Sequence, residues 1–418
     1  MLIESFACIR CGARYRADIE IDSSGCGHCY ATAPANLRPV YPVDVQTPEK
    51  CFGSEFSLWR YAAALPCLRS EAITLGEGLT PLILAERLGA AFGMQAIYIK
   101  DEGRNPTWSH KDRFSTVAVS YAQACGARVV ATASSGNAGA SLAAYAARAG
   151  MKCVVATFAD TAGPMVSQMR RYGAEVIPFV KKQDRWEFLK QGVDRHGWFV
   201  TSPYHAPVVG SHPVGIEGYK TLAYEIVEQM GGMVPHWCIL PVCYGDALAG
   251  LWHGFKDLAD AGRIQRLPRL AAAEIYGSLS HAMATGTDLL AEQPMGTTSI
   301  AVSIGAPRST FQALKALRES NGVAISVDNT SLLRMQETLA SHEGLFAELA
   351  SVAPLVVLDT LRKDGVIEEN DLVVAVATAS GLKDVDRATR DNLPLTVFSS
   401  VEAALSHLEA NDHAPGRN

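Results

Sequence analysis

Segments of strand character alternate with segments of helical periodicity from Ile97 to Ala377, which predicts an α/β fold: two lobes of mainly parallel sheet flanked by helices. Ahead of that region, Cys8, Cys11, Cys26 and Cys29 form two Cys-x-x-Cys pairs, which predicts a small separate zinc ribbon at the N-terminus. At 418 residues the chain exceeds what one compact core fills, so several domains are expected. We place ribbon and linker at 1–45, a large domain at 46–110 plus 205–418, and a small α/β domain at 111–204.

The ribbon expectation rests on spacing. Fourteen residues separate the two pairs, Gly12 follows the first and Gly25 and Gly27 flank the second, so two tight turns can bring four thiolates to one Zn2+. Four reduced, metal-free cysteines are the alternative. His28 lies inside the second pair and is expected to be a solvated loop residue, since four thiolates close such a site. Residues 31–55 carry Pro34, Pro39, Pro42 and Pro48 without sustained periodicity and are expected to form a linker or wrapping arm. Ala72 to Leu84 should be an extended entry strand, and 97–100 a short one.

The stretch Asn105-Pro-Thr-Trp-Ser-His-Lys-Asp-Arg113 then sets Lys111 at a helix start, with the helix expected over 112–124. An amine near the positive end of a helix dipole and partly desolvated gives up its proton readily and can form a Schiff base with an aldehyde. A solvated surface lysine is the bland alternative. Strands are expected near 127–133, 152–157, 175–179 and 198–201, and helices near 138–149, 163–172 and 185–196. The turn Ser134-Ser-Gly-Asn-Ala-Gly139 joins the first of those strands to a helix, a place where main-chain N–H groups meet polar or anionic ligand edges.

Trp237 to Val242 reads as a strand running into Cys243-Tyr-Gly-Asp-Ala-Leu-Ala-Gly250 and a helix through Leu258. Strand, tight loop and helix N-terminus form a phosphate seat, so Cys243, Tyr244, Gly245, Asp246 and Ala247 are candidate contacts. A carboxylate facing a phosphate repels it, so Asp246 is expected to be an N-cap turned away from the anion. Strands near 270–274, 324–327 and 372–377 and helices near 309–320, 329–341 and 398–410 follow, and the polar tail after Asp412 should fray.

Composition narrows the function. With 48% apolar and 19% charged residues, disordered and fibrous classes drop out. A net charge of −6 and a pI near 6.0 argue against a dedicated nucleic-acid binder. No run of 18 apolar residues and no cationic stretch leading into an apolar one near Met1 is present, so neither membrane nor export is expected. Cys51, Cys67, Cys125, Cys153, Cys238 and Cys243 are scattered, which fits a reducing cytoplasm better than disulfides.

Taken together, NPTWSHKDR, SSGNAGASLAAYAARAG, Gly76-Glu-Gly-Leu-Thr-Pro-Leu82 and Ser380-Gly-Leu-Lys-Asp384 resemble threonine synthase and its relatives, pyridoxal-phosphate (PLP) enzymes of fold type II. The resemblance runs from about Cys8 to Asp384, and relatives often carry an N-terminal zinc ribbon. It implies that Lys111 forms the Schiff base with the PLP aldehyde and moves protons at the substrate carbons. It implies that Asn137 contacts the ring 3-hydroxyl and that Thr378, with Ser380 as runner-up, meets the pyridine nitrogen. Small amino-acid substrate contacts are expected at Ser134, Ser135 and Ser202, and a homodimer as the assembly. His110 could relay protons or pack under the ring, Trp108 stands where the family has Gly and could narrow the pocket, and Lys220 and Glu217 read as structural charges at a helix start.

The chain departs from the family where the substrate phosphate is read. Thr201-Ser202 replaces an Asn-Ser pair, Gly215 stands for an Arg and Ala138 for a hydroxyl. Arg113, His205, His212 or Arg308 could substitute. Three readings stay open: conversion of O-phosphohomoserine and water to threonine and phosphate, a related ammonia-lyase or β-replacement activity on another substituted amino acid, and a non-catalytic protein that kept the fold.

Overall fold

The computed structural model describes residues 2–42, 55–159, 161, 163–385 and 396–412. Pro48, Cys51, the expected boundary at 45/46 and the tail after Asp412 lie outside the described residues. The chain divides into two units, Met1–Asp384 and Val385–Asn418, and the second contains the helix Val401–Asp412.

Within the first unit, β1 (Ser5–Cys8), β2 (Arg14–Arg16) and β3 (Leu37–Val40) form an antiparallel sheet in the order β2-β1-β3. A six-stranded sheet follows the order β12-β11-β10-β13-β5-β4, from β4 (Leu82–Leu84), β5 (Ala96–Asp101), β10 (Trp237–Pro241), β11 (Arg269–Glu274), β12 (Val323–Ser326) and β13 (Leu372–Ala377). All its pairings are parallel except β4 with β5. A wholly parallel four-stranded sheet has the order β8-β7-β6-β9, from β6 (Val129–Ala133), β7 (Lys152–Phe158), β8 (Glu175–Phe179) and β9 (Phe199–Val200). Strands covered on both faces have no reason to alternate polar and apolar residues, hence the near-continuous apolar runs Val129-Val-Ala-Thr-Ala133 and Leu372-Val-Val-Ala-Val-Ala377.

The helices are α1 (Glu86–Phe92), α2 (Lys111–Ala124), α3 (Asn137–Ala149), α4 (Pro164–Arg171), α5 (Lys182–His196), α6 (Pro213–Ile216), α7 (Lys220–Gln229), α8 (Asp246–Asp260), α9 (Ser278–Thr285), α10 (Phe311–Glu319), α11 (Asn329–Glu343) and α12 (Leu349–Lys363). The expected entry strand over 72–84 pairs only at β4, because residues 69–71 form a 3-10 turn and 72–81 run irregularly. Helices α7 and α8 cross closely: a Cβ at Gly254 would lie 2.3 Å from the Lys220 carbonyl oxygen, and one at Gly250 would lie 2.5 Å from the Tyr219 Cβ.

Two buried charge clusters tie these parts together. Arg113 bonds to both oxygens of Glu102 at 2.7 Å and to Glu225 at 2.6 and 2.7 Å, and Lys100 Nζ meets Glu225 at 2.8 Å, all four side chains being fully buried. The second cluster brings Arg38 and Tyr41 to Glu217, Asp257 and Lys220. Tyr41 donates to Glu217 at 2.8 Å, Arg38 lies 3.4 Å from Asp257, and Lys220 lies 2.8 and 3.0 Å from Glu217 and Asp257. Lys220 and Glu217 are structural charges at a helix start as expected, Lys220 being the first residue of α7, and both are buried ion-pair partners. Arg113 is likewise committed to Glu102 and Glu225 and does not read a substrate.

Candidate active site

Helix α2 begins at Lys111, one residue earlier than the sequence suggests, and the loop before it is fixed from three sides. Asp112 accepts from the Thr107 N–H (2.7 Å), the Thr107 hydroxyl and the Ser141 hydroxyl (2.7 Å), which closes the turn onto α3. Gly78 donates its N–H to Asn105 Oδ1 at 3.0 Å, and Glu77 beside it accepts from Tyr145 at 2.7 Å. From the other direction His110 N–H donates to the Thr378 carbonyl (2.8 Å), Ser380 N–H to the Trp108 carbonyl (3.1 Å), and Lys383 Nζ to the Thr107 carbonyl (2.8 Å). The C-terminal Gly-Leu-Lys-Asp motif therefore clasps the lysine loop.

Lys111 opens into a cavity of about 330 Å³ whose wall includes Ser115, Thr132, Thr201, Ser202 and Ser211. Phe114, Ala138, Tyr219 and Asp246 complete it. Among the sequence-chosen residues the cavity thus collects Lys111, Ser202 and Asp246. Asn137 directly precedes Ala138 of its wall, and the Thr378 carbonyl accepts from the N–H of His110, the residue before Lys111; neither Asn137 nor Thr378 lines the cavity. The Asn137 amide donates to Glu348 Oε2 at 2.7 Å, while its Oδ1 is buried without a hydrogen-bond partner among the described residues. The Thr378 hydroxyl pairs with Ser351 Oγ at 2.9 Å, whereas Ser380 Oγ accepts from the Leu382 N–H of its own turn. Ser134 Oγ accepts from the N–H groups of Gly136 (3.2 Å) and Gly139 (3.0 Å), and Ser202 Oγ from Ala133 (2.8 Å). Ser135 is half-buried in the same turn.

Several expectations change at this point. Asp246 is the first residue of α8, not its N-cap; that position is Gly245, left-handed at φ 76°. The Asp246 carboxylate accepts from Ser211 N–H (3.1 Å), Ser211 Oγ (2.7 Å) and Gln312 Nε2 (2.5 Å), so three donors offset its charge at the cavity wall. Trp108 does not line the cavity. It is 47% exposed at φ 66°, a backbone conformation that suits Gly. Gly215 cannot carry a larger side chain while Phe114 keeps its place, since a Cβ there would lie 2.5 Å from the Phe114 ring. His205 bonds to Asp22 at 3.1 Å, and His212 packs between the Tyr121 and Phe199 rings, where burial pushes its pKa down to about 3. Neither lines the cavity.

Electrostatics follow from burial. His110 is held well below the usual histidine range by desolvation and then by Lys111, which favours the neutral ring; it packs tilted at 35° against Tyr219, ring centres 5.3 Å apart, with Nδ1 3.1 Å from the Thr378 carbonyl. Desolvation raises Asp112 to about 6 against the hydrogen bonds from Ser141 and Thr107. Lys383 is lowered to about 8 by desolvation, against the pull of Asp112 and Glu348.

Cysteine Sγ atoms of Cys8, Cys11, Cys26 and Cys29 lie within 4.8 Å of one another, with Cys8 to Cys29 at 3.8 Å and Cys11 to Cys26 at 3.7 Å. They gather between the turns that close the N-terminal sheet.

The family profile described as pyridoxal-phosphate dependent enzyme matches residues 73–379, which hold the lysine loop, the Asn137 turn and Thr378. The chain belongs to that family. It is 34% identical over 393 residues to the threonine synthase of Methanocaldococcus jannaschii, covering 92% of this chain and 94% of that protein. Similarity to the threonine synthase of Methanosarcina acetivorans is also 34%, over 387 residues, 90% of this chain and 91% of that one. These relatives make it a threonine synthase-like PLP-dependent lyase. The fold matches diaminopropionate ammonia lyase from Escherichia coli with a TM-score of 0.64 at 19% identity, covering 76% of this chain and 88% of that one. No helix among the described residues is long and apolar enough to cross a membrane.

Sequence reasoning missed Phe114 and Tyr219, which line the cavity, and Glu348, Asp112 and Lys383, which bond to Asn137 and to the lysine loop beside it. Asp112 and Lys383 stand inside the quoted motifs, so their signal was adjacency; Glu348 lies in no motif, and only the fold brings it to Asn137.

Proposed function

We propose that the chain converts O-phosphohomoserine and water to threonine and phosphate, with PLP held at Lys111. The observation that supports this best is the Lys111 amine at the start of α2, opening into a hydroxyl-lined cavity in a chain similar to threonine synthases over nearly its whole length. The residues suit the cofactor: a lysine at the cavity, a buried Asn137 oxygen lacking a partner, and an α8 N-terminus that no side chain caps. When bound, the conjugated ring takes up the electrons released as the substrate Cα proton departs.

Lys111 would hold the aldehyde and then carry protons at the substrate carbons. Asn137 would take the 3-hydroxyl edge, and the backbone of Cys243, Tyr244, Gly245, Asp246 and Ala247 the phosphate. Thr378 would meet the pyridine nitrogen. A neutral hydroxyl does not keep a proton there as a carboxylate would, which favours elimination and replacement over transamination. Ser134, Ser135 and Ser202 offer hydroxyls to the substrate. Arg185 is buried over the Phe158 ring at 3.7 Å with no carboxylate partner among the described residues, and burial raises the Tyr244 hydroxyl pKa although the charges of Arg185 and Arg308 oppose that rise. Two cations beside the cofactor loop favour an anionic substrate.

A related lyase acting on a non-phosphorylated amino acid is the second reading. It is favoured by the Gly215–Phe114 contact, which replaces the family's arginine, and by the Asp246 carboxylate in the cavity wall. Phosphate release from O-phosphohomoserine supports the first reading, and keto-acid formation from serine or threonine without phosphate release supports the second. Lys111→Ala protein is expected to be colourless and to lose activity by at least a thousandfold. A yellow, active Lys111→Ala enzyme overturns both.

The four thiolates would hold one structural Zn2+. Sulfurs about 2.3 Å from a tetrahedral zinc stand about 3.8 Å apart, close to the 3.8 and 3.7 Å pairs here.

A further inference from the structure

The Asn137 side chain stands at the first residue of α3, in the turn leaving the smaller sheet, and the group that holds it comes from a distant part of the chain. Glu348, immediately before α12, is 2% exposed and lies in the wall shared with the larger sheet's last strand: its N–H donates to the Ala379 carbonyl at 3.0 Å, next to Thr378. One carboxylate oxygen accepts from Asn137 Nδ2 at 2.7 Å and the other from the Ser303 hydroxyl. A buried carboxylate is costly unless donors surround it, and here two side-chain donors do. The bond leaves Asn137 Oδ1 buried and without a partner among the described residues, so the amide is held from one side while its oxygen keeps an unmet capacity to accept. Burial raises the Glu348 pKa, while the Ser303 and Asn137 donors work against that.

We propose that Glu348 is a positioning residue for PLP: by gripping Asn137 Nδ2 it fixes the amide plane that faces the cofactor, and its backbone bond to Ala379 keeps that grip in register with Thr378. The proposal rests on reading Asn137 as a cofactor contact. An asparagine amide free to rotate offers either its oxygen or its nitrogen to a ring hydroxyl. Held by Glu348, it offers one arrangement, and pre-organisation of this kind lowers the ordering cost of binding. The link also joins the smaller sheet's turn to the end of β13, an interior strand of the larger sheet, so cofactor affinity depends on a contact that never touches the cofactor.

The test is a double-mutant cycle on apoprotein, using Asn137→Ala, Glu348→Ala and the pair, with Glu348→Gln as the conservative variant. The readouts are the PLP dissociation constant, the wavelength of the visible band after loading, and the apoprotein Tm. Glu348→Ala is expected to weaken PLP about tenfold and to shift the band as Asn137→Ala does. Glu348→Gln, which can still accept from Asn137, should restore affinity to within about threefold, and Glu348→Ala should cost nothing further in the Asn137→Ala background. Effects that multiply in the double mutant, or a Glu348→Ala protein with wild-type affinity and band, overturn the proposal. If Asn137→Ala alone changes neither quantity, the cofactor reading of Asn137 fails first and takes the proposal with it. Should Glu348→Ala not fold, Glu348→Met takes its place in the cycle.

Discussion

Arg113 shows how far a residue type can mislead without its surroundings. A guanidinium two positions after Lys111 looks free to read a phosphate, yet it is fully buried between Glu102 and Glu225. Removing one member of such a cluster strands the others, so Arg113→Met should destabilise the fold by about 3–5 kcal/mol in urea unfolding; a loss confined to substrate KM would contradict this placement. Asp112 gives a pH signature. Its folded pKa, raised to about 6, exceeds the roughly 3.9 of an unfolded chain, so its contribution is full below about pH 4 and is lost as pH rises through 6. Wild-type stability should therefore fall relative to Asp112→Asn by on the order of 3 kcal/mol between about pH 4 and 7, as followed by denaturant midpoints at each pH. What was legible at this scale was chemistry carried by short contiguous motifs: Lys111 lines the cavity, and Asn137 directly precedes Ala138 of its wall. The roles of Arg113, Trp108 and Gly215 were not, because each depends on a neighbour distant in sequence, or on a backbone angle, that no motif states.

Among the elements, β8 and β13 run where their apolar patterns put them, at 175–179 and 372–377, because strands in a parallel sheet are short apolar runs bounded by turns. Helix α12 escaped detection for the opposite reason. Its sequence Leu349-Ala-Ser-Val-Ala-Pro-Leu-Val-Val-Leu358 is buried on nearly every side, so it lacks a polar stripe, and Pro354 reads as a break although it sits inside the helix. Helices α7 and α8 depend on close contact at Gly254. Gly254→Ala should cost about 1–3 kcal/mol by chemical denaturation, more than the same change at Gly262, where nothing lies within 4 Å but φ is +68°.

At the scale of the molecule, alternation along the chain was enough to foresee mainly parallel sheets with helices around them. It could not show how the Gly-Leu-Lys-Asp turn clasps the lysine loop, which is a matter of hydrogen bonds between residues some 270 apart in sequence. The N-terminal cluster is expected to carry about one zinc per chain by elemental analysis, and stripping it with a chelator should lower the Tm while the visible cofactor band persists at room temperature. Freshly purified protein without zinc would end that expectation. Arg38 and Tyr41 give this sheet a further duty. They deliver neighbours to Glu217 and Asp257, so excising the N-terminal sheet would open the floor under α7 and leave acidic groups facing a vacated surface. An enzyme trimmed to its catalytic lobes would require those two carboxylates to be redesigned as well.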